Sequence, residues 1–166
     1  MNTKQMKELG KEANRINEAV MHAAQAQFEQ AKIWQRTHRW IGVPAVLLGA
    51  IAGVGGASEA IGALTAGLIA LLAAALTALQ TFLGLPKKIE AASSSGNAYL
   101  SIQQDARIFE NIDLMGMDFD DARAVLDELV GRQQATNSIS PVPSKLARAK
   151  AKNNIDAGGQ EYEVDK

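Results

Sequence analysis

Thr77, Gln80, Thr81 and Gly84 stand at i, i+3, i+4 and i+7 inside an otherwise apolar stretch, and the same face runs back through Ala73 and Ala70. Amide and hydroxyl side chains at helical spacing in apolar surroundings can do two things. They can line water in a pore built from several copies, or they can hydrogen-bond between packed helices. Both readings stay open from sequence. In the first, Leu68, Leu72 and Leu76 form a hydrophobic constriction that gates by dewetting, and Glu59 favours cations at the outer mouth. In the second, Glu59 is a solvated loop charge. Gly49 and Gly53 form a GxxxG, and Ala66, Ala70, Ala74 and Ala78 form a ladder of small residues; both allow close backbone approach, within one chain or between copies.

Other chemistries find no purchase. Asp118, Asp120 and Asp121 lack the twelve-residue loop and closing glutamate of an EF-hand, so they read as a helix cap. His22 and His38, the two histidines, lie several helical turns apart and share no partner arrangement. With zero cysteines there is no disulfide, thiol nucleophile or thiolate metal site. No GxGxxG, P-loop, nucleophile elbow or HExxH is present. The expectation is a protein that is not an enzyme and needs no cofactor. A net charge of −1 gives no drive toward nucleic acid.

The element that must position the polar face is the stretch Ile41 to Leu85, whose one charged residue is Glu59. On either side of that glutamate lies an apolar run, about 41–57 and about 61–84, each long enough for a bilayer core at about 1.5 Å per residue. The second run carries Leu64, Leu68, Ile69, Leu71, Leu72, Leu76, Leu79, Phe82 and Leu83, each favouring insertion by roughly 0.3–0.6 kcal/mol. It has no polar face wide enough to meet water, which argues against the buried hairpin of a soluble bundle. The first run is glycine-rich and leans on its partner. Residues 41–85 are therefore read as a transmembrane helical hairpin. Lys32, Arg36 and Arg39 precede it, Lys87 and Lys88 follow it, and the connecting turn has no basic residue, so both chain ends are expected in the cytoplasm. Trp34 and Trp40 suit the headgroup layer, and Pro44 is expected in the first turn of the first span, where its missing N–H costs nothing.

The flanks read as long amphipathic helices. In residues 1–40, Met6, Leu9, Ala13, Ile16, Val20 and Ala23 recur at alternating steps of three and four, and after a slip Ala24, Phe28, Ala31 and Gln35 continue the stripe. This helix is able to run unbroken into the first span. In residues 86–134, Ile89, Ala92, Gly96, Tyr99, Ile102, Ala106 and Phe109 share a face, weakened locally by SSSGN at Ser93 to Asn97. A turn follows around Gly116. Asp118 then caps a helix to about Gln134, with Ala122, Val125, Leu126 and Leu129 inward. The two long helices should pack antiparallel. Residues 135–166, rich in Asn, Ser, Pro, Lys and Gly, are expected to be mostly disordered, with the basic KLARAKAK at Lys145 to Lys152 a solvated charge run or a contact for anionic lipid or an acidic partner. The charged start of the chain does not resemble a signal peptide. The fold class is thus an all-α membrane protein.

The segment AQFEQAKIWQRTHRWIGVPAVLLGAIAG, the second span ending LTALQTFLG and the following Tyr99-Leu100 together resemble the SLATT domain, the two-transmembrane effector associated with SMODS and SLOG proteins. The resemblance covers about residues 20–112 and is most specific at RTHRWIGVPAV and LTALQTFL. Where relatives often carry a basic, His-containing stretch after the second span, this chain has KKIEAASSSGN. The resemblance implies a bacterial inner-membrane effector of an antiviral or conflict system, homo-oligomeric. Such an effector permeabilises the membrane when a nucleotide-signalling or sensor partner protein triggers it. The competing reading is a non-conducting anchor or scaffold that recruits a cytoplasmic partner.

Overall fold

The computed structural model describes residues 3–57 and 62–160. Among them the chain is helical apart from short links, with no strand: α1 (Thr3–Ala57), α2 (Ala63–Leu83), α3 (Leu85–Asn111), a 3₁₀ turn (Asp113–Met115), α4 (Phe119–Ile139) and α5 (Lys145–Asp156). It divides into two compact units, Met1–Gln30 with Ala91–Lys166, and Ala31–Glu90.

The first unit is a helical bundle. The α1 stripe is buried as expected: Leu9, Ala13, Ile16, Val20 and Ala24 meet Tyr99, Ile102, Ala106 and Phe109 of α3 and Ala122, Leu126 and Leu129 of α4. Ala13, Ala24, Ala106 and Ala122 are fully buried, and their small size lets the helices approach closely around Phe109, Ile102 and Val20. Helices α1 and α3 run antiparallel, since Gly96 abuts Phe28 while Gly10 abuts Leu114. Across α3 and α4, Arg132 reaches Asp105 at 2.7 Å and Ser101 at 3.0 Å, and the Tyr99 hydroxyl donates to Asn137 Oδ1 at 2.7 Å. Asp118 caps α4 as expected, its Oδ1 accepting from the Asp121 N–H at 2.9 Å.

Three readings are refined. The helix expected through SSSGN is present and continuous, α3 being helical throughout. A Cβ on Gly96 would lie 2.8 Å from Phe28 Cε1, so the glycine is where the ring seats against the α3 backbone, and packing outweighs weak local propensity. The second change concerns residues 135–160 of the stretch expected to be mostly disordered, its remainder, 161–166, lying outside the described residues. Instead α4 continues to Ile139 and α5 follows, capped by the Ser144 hydroxyl, which accepts from the Ala147 N–H at 3.2 Å. Ala147 and Ala151 are buried. Two buried glutamines of α1 hold the link between the helices: Gln27 Nε2 donates to the Pro141 carbonyl at 2.7 Å, and Gln30 Oε1 accepts from the Ser144 N–H at 2.8 Å. Composition alone cannot reveal a polar segment held by such contacts, because its anchors lie more than a hundred residues away.

The third change concerns Pro44. Because α1 runs unbroken from Thr3 to Ala57, Pro44 sits inside the helix rather than at its start. It has no N–H to offer the Trp40 carbonyl.

The second unit holds the apolar runs. Among the described residues two helices are long and apolar enough to cross a membrane, and few residues of either apolar window are buried. Val46, Val54, Leu64, Leu71 and Phe82 are among the large apolar side chains left exposed. A single left-handed residue, Gly84 at φ 57°, ends α2, and its N–H donates to the Thr81 carbonyl at 3.2 Å. Helix α3 starts at the next residue, with Pro86 in a first turn whose N–H groups need no helical acceptor.

Candidate functional site

Within the hairpin, Ile41, Ala45, Leu48, Ala52 and Gly55 of α1 are its more buried positions, as are Ala66, Ile69, Ala73, Leu76 and Gln80 of α2. Both sets step by alternating fours and threes, the spacing of a knobs-into-holes seam. The helices are antiparallel, since a Cβ on Gly56 would lie 3.5 Å from Ala66 Cβ, and one on Gly42 would lie 2.7 Å from Gln80 Nε2.

The seam divides the polar face read from sequence. Ala73 is buried within it. Gln80 turns toward α1, its Nε2 lying 2.9 Å from His38 Nδ1 and 3.4 Å from the His38 carbonyl. With Nδ1 unprotonated, the amide donates to the ring. Thr77 and Thr81 stay exposed, and their hydroxyls donate along α2 to the carbonyls of Ala73 at 2.9 Å and Thr77 at 3.0 Å. These back-bonds satisfy each hydroxyl hydrogen while leaving the oxygen able to accept. Of the constriction candidates, Leu68 and Leu72 are exposed and Leu76 sits at the seam edge. Glu59 lies outside the described residues.

Gly49 and Gly53 face away from the seam: a Cβ on either would meet nothing within 4 Å. On α2, Gly67, Ala70, Ala74, Thr77 and Thr81 form an equally uncovered stripe. At about 100° per residue each stripe lies roughly a quarter turn from its own seam. Since the helices run antiparallel, the two quarter turns point to the same side. The hairpin therefore has one face of small residues and threonines, while Leu64, Leu71, Phe82, Leu47 and Val54 project from other sides. At the Gln80 end this face opens into a cleft of about 560 Å³ lined by His38, Gln80, Thr81, Gly84, Pro86 and Lys87.

Of the expected interface residues, Trp34 is half-buried, whereas Arg36, Arg39, Trp40, Lys87 and Lys88 are exposed. Sequence reasoning missed His38. The signal was present, because position 38 continues the seam spacing of 41, 45 and 48 by one step, and a polar side chain on a seam needs a polar partner across it. Comparison with known protein families, with curated proteins and with solved structures finds no match.

Proposed function

We propose that the chain is a two-span effector of the bacterial inner membrane, with both ends in the cytoplasm. Copies associate through the small-residue face of the hairpin and permeabilise the bilayer when a nucleotide-linked or other partner triggers them. The observation that carries this reading is the uncovered face of Gly49, Gly53, Gly67, Ala70, Ala74, Thr77 and Thr81. Without a hydrophobic drive between helices in lipid, association depends on close packing of small residues, and this face is left uncovered by the described residues. Thr77 and Thr81 keep acceptor oxygens on that surface, and the cleft beside them, with His38, Gln80 and Lys87 in its lining, lies at the basic end of the hairpin. The antiviral or conflict role follows from the SLATT-like segments.

A second reading, the non-conducting anchor, draws on a specific observation of its own: Gln80 is engaged by His38 inside one chain, where it acts as glue. Liposome dye release separates the two. Reconstituted protein should release a small dye, and a water-soluble thiol reagent should label Thr77→Cys and Thr81→Cys while sparing Leu71→Cys and Leu79→Cys. An intact dye load in the presence of labelled, oligomeric protein favours the anchor. Equal labelling around α2 overturns the lining assignment.

A further inference from the structure

Arg36, Arg39, Trp40 and Val43 fall at i, i+3, i+4 and i+7 of α1, and with Pro44 they line a groove of about 580 Å³. Both arginines are exposed, and neither guanidinium has an ion-pair partner among the described residues. Trp40 is 79% exposed, which is unusual for an indole unless something outside the chain covers it. The same helix face continues through Leu47 and Val54, also exposed, and at about 100° per residue it points away from the seam with α2. One face thus presents, in order, two exposed cations, an indole and a strip of exposed aliphatic side chains. Beside them Pro44 leaves the Trp40 carbonyl without its helical N–H donor.

We infer that this groove is a binding site for one anionic phospholipid. The phosphate lies between the guanidiniums of Arg36 and Arg39, which grip phosphate oxygens by paired N–H donors. Trp40 covers the glycerol region, and an acyl chain runs along Val43, Leu47 and Val54. A hydroxyl-bearing headgroup such as that of phosphatidylglycerol also supplies a donor for the Trp40 carbonyl. The inference rests on the membrane reading above and goes beyond it: ordinary interfacial anchoring needs positive charge near the headgroups, but not a preference for one lipid over another at one face of one helix.

The chain has two tryptophans, so Trp34→Phe leaves Trp40 as the sole indole reporter. This variant, otherwise full length, is reconstituted in phosphatidylcholine bilayers containing a fixed fraction of lipid with brominated acyl chains, either phosphatidylglycerol or phosphatidylcholine, and Trp40 quenching is read. The expected result is a preference for brominated phosphatidylglycerol on the order of tenfold, from two cations at the surface of the bilayer. It should fall to about equal quenching in Arg36→Gln/Arg39→Gln and persist in Lys87→Gln/Lys88→Gln. Equal quenching by both lipids in the parent overturns the site while leaving the membrane reading intact. No quenching by either lipid overturns the membrane reading itself. An equal loss in the lysine variant shows diffuse charge attraction and also overturns the site.

Discussion

Two glycines in helix interiors should respond to the same substitution with opposite sign. Alanine in place of a helical glycine removes a cost of about 1 kcal/mol. At Gly131 of α4 the new methyl would meet nothing within 4 Å, so Gly131→Ala should stabilise by about 0.5–1 kcal/mol. At Gly96 the methyl would lie 2.8 Å from Phe28 Cε1 and 2.9 Å from Cζ, well inside ordinary contact. Either the ring leaves its seat or α1 and α3 part, and overpacking of this kind costs about 1–3 kcal/mol. Set against the propensity gain, Gly96→Ala should destabilise by roughly 0–2 kcal/mol. The assay is thermal denaturation of the full chain in mild detergent, followed by ellipticity, with hydrogen exchange of α3 amides to localise the change. A shift of a few degrees in Tm is expected in each direction, since 1 kcal/mol moves Tm by about 2–8 °C in chains and domains of this size. Adding Phe28→Leu to Gly96→Ala should recover part of the loss, because the shorter side chain vacates the contact. If Gly96→Ala stabilises as much as Gly131→Ala, the ring is not seated on the α3 backbone and the reasoning fails.

Further outcomes follow from the same geometry. Val20 is completely buried in the bundle, so Val20→Asp places an unpaired carboxylate there at roughly 3–5 kcal/mol; unchanged thermal stability would show that the α1 stripe is not a core. Gln30→Ala removes the acceptor of the Ser144 N–H, and Gln27→Ala removes the donor to the Pro141 carbonyl. Together they should speed exchange and proteolysis across residues 141–156 while α1 and α3 stay protected, and equal protection everywhere would mean these bonds do not hold α5. Gly49→Leu with Gly53→Leu should leave the hairpin folded and lower cross-linked oligomer in membranes. Gly42→Leu, which meets Gln80, should weaken the hairpin itself, and the reverse pattern would place the seam elsewhere. For topology, reporters at residues 1 and 166 should be active inside the cell and one inserted near Ser58 outside; opposite signals from the two ends would rule out the hairpin.

Much of the architecture was legible in the residues because its causes are local or periodic. The α1 and α3 stripes, the Asp118 cap and the two apolar runs each depend on neighbours within a few residues; the two stripes are buried in the bundle, the cap bond forms, and both runs are helical. What tertiary structure decided depends on partners distant in the chain. The weak run SSSGN seats Phe28 against Gly96, and the 141–156 segment is held where Gln27 and Gln30 bind its backbone. The polar face read along α2 is one stripe in sequence but two surfaces in space. Helical periodicity places Ala73, Thr77, Gln80 and Thr81 on one broad arc, and only the position of α1 determines where that arc is cut. Gln80 falls on the near side of the cut and is spent on His38, while Thr77 and Thr81 fall on the far side with Gly49 and Gly53. Which residues share a helix face follows from a fixed rotation per residue; which of them remain free for another molecule follows from where the second helix lies.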